Sequence, residues 1–402
     1  MKVLVIAPND LRIYEGTTVR VTGLTKGISK YVEAVYLASR SLNKELRNAP
    51  KLKWLRLKFY RSLTETPLCC INTVLGDNTC KLFLNIFTNT KELERYIDII
   101  YSHFITTLPL ALGFKHALDD PPLLIDLHGL YCLQLTKFKL NPIGHMLTHL
   151  YTMYEALKLS DEHISGYTLP SQAFKEIVIR CFKIPEWKVH IVPDGLDISS
   201  VPHYNEETVE RIRQHIGIYD KIVVTYVGTP SYYHGFYDLL QAYKIARKLE
   251  QRVFLLLIVP SKDFVIKKLL EAGIDLNDVY VLDSIPRSEV YKYLYASDIL
   301  VLPHRKGTQF DYLPSNKLLD YIASGRPIIS YALPSIFPLL KRYPLKVLVK
   351  PNDPRELANG ILEAAKFYRG VHINGKQYVK EYDWSNICKV LFQIYTMLLK
   401  TV

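Results

Sequence analysis

Short runs rich in Val, Ile and Leu recur along the chain with room for a helix between them, and this alternation restricts the fold more than any other feature. Residues 3–7 form one such run; a polar loop, a helical pattern over 19–31 and a second run at 34–37 follow. That is a βαβ unit, the building block of a parallel sheet. Further runs at 97–101, 123–126, 163–166 and 190–192 extend the same sheet. A charged, proline-containing stretch over 194–220, with a helical pattern at 206–215, interrupts the series before a new apolar run at 222–227. Runs at 253–259, 279–282, 299–302, 327–330 and 346–349 follow, separated by helical patterns such as 236–248 and 287–295. The expected fold is α/β, with two Rossmann-like doubly wound lobes facing a cleft. The expected boundaries are 1–200, 201–380 and a terminal helix at 381–402. That helix carries Ile387, Val390, Leu391, Ile394, Tyr395, Leu398 and Leu399 on one face, which must pack on a lobe.

Bulk properties exclude several classes. With 402 residues the chain is too long for one core, and 49% hydrophobic with 22% charged residues places it among globular proteins. The opening apolar run is shorter than a signal-peptide core, and the stretch over 99–114 falls short of the ~20 residues a membrane helix needs. Cys69, Cys70, Cys80, Cys132, Cys181 and Cys388 show neither zinc spacing nor the density of a disulfide scaffold, so a cytoplasmic location is expected. A formal charge of +12 calls for an anionic partner: nucleic acid, a membrane face or phosphorylated small molecules.

Ligands of open α/β sheets bind beyond the carboxyl ends of strands, where helix N-termini favour phosphate. The loop after the first strand ends at Gly16, Thr17 and Thr18, before a helix carrying Arg20. It lacks the glycine fingerprints of dinucleotide folds and P-loops, and a glycine before a helix is often only a turn. His128 follows the run 123–126 and stands at a strand's carboxyl end, although a lone histidine is usually structural. The most specific segment is 313–329, Leu-Pro-Ser-Asn-Lys-Leu-Leu-Asp-Tyr-Ile-Ala-Ser-Gly-Arg-Pro-Ile-Ile. A helix starting near Ser315 puts Asn316 and Asp320 four apart on one face, with Lys317 beside them. Phosphate would then meet the helix N-terminus while Asp320 reaches a ribose diol.

This segment resembles the donor-binding signature of the retaining GT-B glycosyltransferases of family 4, whose core reads roughly P-x-K-x-x-E-Y-x-A-x-G-x-P-V-I. The match runs through Lys317, Asp320, Tyr321, Ala323, Gly325 and Pro327. Pro170-Ser171, Val192-Pro193-Asp194-Gly195-Leu196-Asp197 and residues 295–303 resemble further landmarks of that group, in order. The resemblance implies a terminal helix returning to the first lobe and His128 beside the transferred sugar. It also implies Gly16 at the donor phosphates, Asp320 on the ribose, and retention of anomeric configuration. The donor it implies is a nucleotide-diphosphate sugar, with no cofactor and no metal; no D-x-D motif stands at a strand end.

Three departures accompany the match. The family's first acidic residue, eight positions before Asp320, is Tyr312 with Asp311 beside it. Either Asp311 substitutes for it, or backbone groups of the loop 306–310 read the sugar. The family's diphosphate-neutralising Arg and Lys fall in the segment after Gly228, roughly at Thr229 and His234, leaving Arg305, Lys306 and Lys317 as candidates to compensate. Asp320 is one methylene shorter than the usual Glu.

Residues 44–61 hold Lys44, Arg47, Lys51, Lys53, Arg56, Lys58 and Arg61 against Glu45, interleaved with Leu52, Trp54, Leu55, Leu57, Phe59 and Tyr60. Such a stretch is either a secondary-structure element with a solvated basic face or a peripheral contact with anionic lipid on the cytoplasmic side, the latter suiting a lipid-linked saccharide acceptor. Nucleic-acid binding is not expected, since no helix-turn-helix, RRM, KH or zinc pattern is present. Two rivals to sugar transfer stand: a sugar-nucleotide epimerase of the same architecture, and a degenerate homologue without catalysis.

Overall fold

The computed structural model describes residues 1–7, 10–12, 16–57, 96–130, 146, 150 and 153–400. The chain divides into two compact units, Met1–Gly195 together with Trp384–Val402, and Leu196–Asp383.

The first unit is built on a seven-stranded sheet of order β3-β2-β1-β4-β5-β6-β7. Its strands are Lys2–Ala7, Ala34–Ser39, Leu52–Arg56, Ile99–His103, Leu123–Asp126, Ile164–Leu169 and Val189–Ile191. Every neighbouring pair is parallel. The central strands are buried on both faces and read as continuous apolar runs, which is why their positions are visible in sequence. Sequence neighbours β1 and β2 lie on one side while β4 lies on the other, so the order of the sheet reverses between β1 and β4.

The described part of the basic stretch is regular secondary structure, the first of the two readings offered by sequence. Lys44–Arg47 is a short helix capped by Asn43, whose side chain accepts from the Leu46 amide at 2.9 Å. Leu52–Arg56 is an edge strand on β2, with Leu52 opposite Val35. Its apolar side chains belong to the unit: Leu55 and Leu57 are buried, and Trp54 donates from Nε1 to Ser39 Oγ at 3.1 Å. Lysines and arginines on the outward positions are what an exposed edge requires. Lys58, Phe59, Tyr60 and Arg61 lie outside the described residues.

The C-terminal helix, Trp384–Lys400, packs on the first helix, Gly16–Ile28, in this same unit. Ile387, Cys388, Leu391, Ile394, Tyr395 and Leu398 are buried in a common core with Val21, Leu24 and Ile28. Val390, expected on that face, is exposed. The helices approach through glycine: a Cβ at Gly23 would stand 2.1 Å from the Trp384 ring, and one at Gly195 2.6 Å from it.

The second unit carries a six-stranded parallel sheet of order β10-β9-β8-β11-β12-β13. Its strands are Ile222–Val227, Val253–Ile258, Val279–Leu282, Ile299–Leu302, Ile328–Tyr331 and Lys346–Val349. Here the order reverses between β8 and β11. Both reversal points are where doubly wound sheets hold ligands, and both carry the polar side chains described next. Among the described residues no helix is long and apolar enough to cross a membrane.

Candidate functional site

In the first unit the carboxyl ends of β4 and β5 bring His103, Asp126 and His128 together. Asp126 is fully buried and accepts from Arg20 Nε at 2.8 Å and Nη2 at 2.7 Å, and from Thr168 Oγ1 at 2.6 Å. Its Oδ2 also lies 3.0 Å from His103 Nδ1 and 2.8 Å from His128 Nε2. Those ring nitrogens are 2.9 Å apart, and each can donate its proton to the carboxylate oxygen they share. Burial opposes the charge of Asp126, but Arg20, with His128 after it, holds the carboxyl well below the usual range. Burial likewise pulls His128 down to about 4 against the attraction of Asp126, leaving the imidazole neutral near pH 7. Phe104 stacks on His128 with ring centroids 4.2 Å apart, from a backbone φ of 71° that ordinarily favours glycine. His128 is therefore locked, with its contacts on Nε2 and Nδ1 left for a ligand.

His103, Asp126 and His128 are also the groups that could hold a metal ion, with ligand atoms within 4.8 Å of one another. A divalent cation there would stand against Arg20, whose Nε already reaches the same carboxylate oxygen.

The neutral burial of His128 has a measurable consequence. The unfolded chain takes up a proton near pH 6.5, while the folded chain refuses it until about pH 4. The stabilisation is thus complete above pH 6.5 and is lost as the pH falls towards 4, in total on the order of 3 kcal/mol. Thermal denaturation from pH 7.5 to 5 should show a falling midpoint, with a shallower fall in His128→Gln. A flat profile would refute the assignment of a buried neutral imidazole.

The second unit places a basic cluster at its own reversal point. Gly228 follows the end of β8 and Pro303-His304 the end of β11, on adjacent strands. The loop over 228–235 can sit on β11 only because Gly235 has φ +68°; a Cβ there would lie 1.7 Å from the Pro303 carbonyl oxygen. The helix Asn316–Ala323 is pinned to the end of β8 by the Val227 amide, which donates to Tyr321 Oη at 3.0 Å. Ser315 stands at its N-cap without a capping bond from its side chain, so the hydroxyl does not screen the positive end of the helix. Lys317 lies across Gly228, where a Cβ would be 2.7 Å from its Cε and 3.3 Å from its Nζ. No carboxylate or hydrogen-bond acceptor among the described residues engages that ammonium. Burial pushes the Lys317 pKa down, with only the attraction of Asp320 in opposition.

Around it stand His234, whose Nδ1 lies 2.7 Å from Ser231 Oγ, and His304, whose ring stacks on Phe310 at 3.7 Å. Asp320, one turn beyond Asn316, receives Arg287 Nε at 3.0 Å and Tyr291 Oη at 2.6 Å, both on Oδ1. Oδ2 accepts nothing among the described residues. Bases that lack an acid, beside a helix N-terminus and a half-open carboxylate, suit an anion attached to a diol.

Comparison with known proteins accords with this chemistry. A sequence model of group 1 glycosyl transferases matches residues 221–366, and one of glycosyltransferase family 4 matches residues 16–200. The chain belongs to glycosyltransferase family 4, group 1. Comparison with curated proteins gives no match. Among solved structures, sucrose-phosphate synthase from Thermosynechococcus elongatus is similar over 100% of both chains, with a TM-score of 0.75 and 16% identity. A glycosyltransferase from Rickettsia africae is similar at a TM-score of 0.71 and 16% identity, covering 100% of this chain and 99% of that one. Anabaena HepE in complex with UDP-glucose is similar over 100% of both chains, at a TM-score of 0.69 and 16% identity. These neighbours share the GT-B architecture.

In this glycosyltransferase several residues lie elsewhere than expected. Arg20, expected beside the donor, is buried and spent on Asp126 and on Asp194, which it reaches at 3.1 Å. Gly16 opens the first helix and is exposed; residues 13–15 before it lie outside the described residues. Arg305 is not a free compensating cation: its Nη1 is paired with Asp238 and its guanidinium lies 4.4 Å from the centre of the Tyr232 ring. The backbone of Lys306 is clamped by Asn352, with its amide donating at 2.9 Å. Asp311 Oδ2 accepts from the Gly307 amide at 2.8 Å, so this carboxylate shapes the 306–310 loop. Thr229 is exposed, and its carbonyl accepts from Tyr226 Oη at 2.7 Å. Three residues escaped sequence reasoning as site residues: His103, Arg287 and His304. The available signal for His103 and His304 was their position just at or after a strand's carboxyl end, and it becomes informative only when the strand order is known.

Proposed function

We propose that this family 4 enzyme transfers a glycosyl group from a nucleoside-diphosphate sugar to a hydroxyl of a saccharide, free or lipid-linked, with retention of configuration and without a metal ion. The observation that carries the reading is Lys317, a half-buried ammonium that no carboxylate among the described residues hydrogen-bonds, laid over Gly228 at the N-terminus of a helix. A diphosphate supplies the missing charge, and Asp320 Oδ2, a turn further along, is placed for a ribose diol. The bond from the anomeric carbon to the diphosphate oxygen breaks, the acceptor oxygen bonds to that carbon on the same face, and the acceptor proton passes to the departing phosphate oxygen. Lys317 and the helix N-terminus stabilise the charge that develops on the leaving group, which is the service a metal ion performs in other transferases. Neutral His128 offers Nδ1 to a sugar hydroxyl.

The test is calorimetric titration of UDP, GDP and ADP and their sugar conjugates, with and without EDTA. UDP-glucose leads the panel because it is the ligand of the Anabaena neighbour. One base should bind, indifferent to chelator, and product analysis with that donor should show a retained glycoside. Absence of binding across the panel would refute the reading, and EDTA-sensitive turnover would refute metal independence. An epimerase would convert the donor with no acceptor present.

A further inference from the structure

The site that binds the donor contains two histidines that a nucleoside diphosphate has no obvious need of in neutral form. His304 is buried, 2% exposed, and its Nδ1 has no hydrogen-bond partner among the described residues. A buried, unpaired ring nitrogen is costly unless a ligand completes it. His234 faces it edge-on at 5.2 Å between ring centroids, and both rings pack on Phe310. The groups facing the pair come from every surrounding element. Ser231 lies on the same loop as His234, and Lys317 on the helix 316–323 acts electrostatically on both rings. Of the charges nearest in sequence, Arg305 is paired with Asp238, Asp311 accepts from the Gly307 amide on Oδ2 while its buried Oδ1 has no hydrogen-bond partner among the described residues, and Asp320 binds Arg287 through Oδ1. Among the described residues no carboxylate acts on either histidine. Burial, with Lys317 beyond it, pushes His234 down to about 4; burial, His234 and Lys317 push His304 well below the usual range.

Resting on the donor-site reading above, we propose that His234 and His304 complete the diphosphate cradle with Lys317, and that donor binding is coupled to uptake of a proton by this histidine pair. An incoming diphosphate reverses the electrostatics of the cluster. Three crowded bases that repel a proton become three bases around an anion that attracts one, and the protonated ring then donates to a phosphate oxygen. His234 thereby stands roughly where the family pattern has a permanently charged side chain, and donor affinity becomes pH-dependent. Since the complex holds more protons than the free protein, affinity must rise as pH falls, by up to about tenfold per unit for each proton taken up.

Calorimetry of the wild-type protein decides the matter. A nucleotide sugar is the probe, since each of its two phosphates carries one ester and one anhydride linkage and its remaining acidic oxygen stays ionised across the range, and UDP-glucose, GDP-mannose and ADP-glucose are each titrated at pH 6. Use of two buffers of different ionisation enthalpy reads the protons exchanged directly. The expected result is a net uptake approaching about one proton, and affinity about tenfold or more higher at pH 5.5 than at pH 8. His304→Asn and His234→Asn should reduce the uptake and flatten the pH profile while binding at pH 8 changes less. Donor binding with no proton exchange and no pH dependence would overturn the coupling while leaving the donor site intact. Failure of all three nucleotide sugars to bind at any pH would overturn both.

Discussion

Lys317→Met should lose donor affinity by roughly 100-fold or more, the scale of 2–5 kcal/mol for removing one partner of a desolvated charged contact, while melting no lower than the wild type. The two halves of this expectation belong together. An ammonium half-buried over Gly228, hydrogen-bonded by no carboxylate among the described residues, costs the free protein desolvation energy that only the attraction of Asp320 offsets. A methionine fills the same channel across the glycine without that cost. A lysine kept for structure would show the opposite pattern, with lower stability and intact binding. Titration with the nucleotide sugar that the wild type binds, together with thermal denaturation, separates them. Binding within about threefold of wild type would sink the donor assignment.

Asp126→Ala should be among the most destabilising single changes in the first unit, by about 3–5 kcal/mol. The substitution strands the Arg20 guanidinium, 3% exposed, with only Asp194 on one nitrogen, and removes the acceptor shared by His103 and His128. The melting transition should fall on the order of 10 °C for a unit of this size. Arg20→Met with Asp126→Leu should recover part of the loss, because the fully buried pair is removed together and only Asp194, less deeply buried, loses a partner. The carboxyl is held below its ordinary value, so its stabilisation is present above about pH 4 and lost at lower pH. An Asp126→Ala protein melting within about 1 °C of wild type would refute the account of this network.

Central strands are legible where burial on both faces forces continuous apolar runs: 123–126, 222–227 and 299–302 appear in sequence with the bounds they have in the structure, as do the partly buried, apolar edge strands 279–282 and 346–349. β3 is not, because this edge strand carries exposed Lys53 and Arg56 among its apolar residues and so reads as a basic surface segment. The helix 316–323 is likewise legible, since its start and the spacing of Lys317 and Asp320 are local properties of consecutive residues. The partners of those residues are not local. Arg287 meets Asp320 from 33 positions away, and Asp126 meets Arg20 from 106 positions away. Sequence could place Arg20 next to a phosphate-ready loop, but only the strand order β1-β4-β5 shows that a buried carboxylate claims it first. The same holds for His304 and His234, which become a pair because β8 and β11 are neighbours in the sheet. Element type follows from periodicity and burial along a few residues. Charge state and free valence are decided across the sheet, by which side chains the topology leaves without a partner.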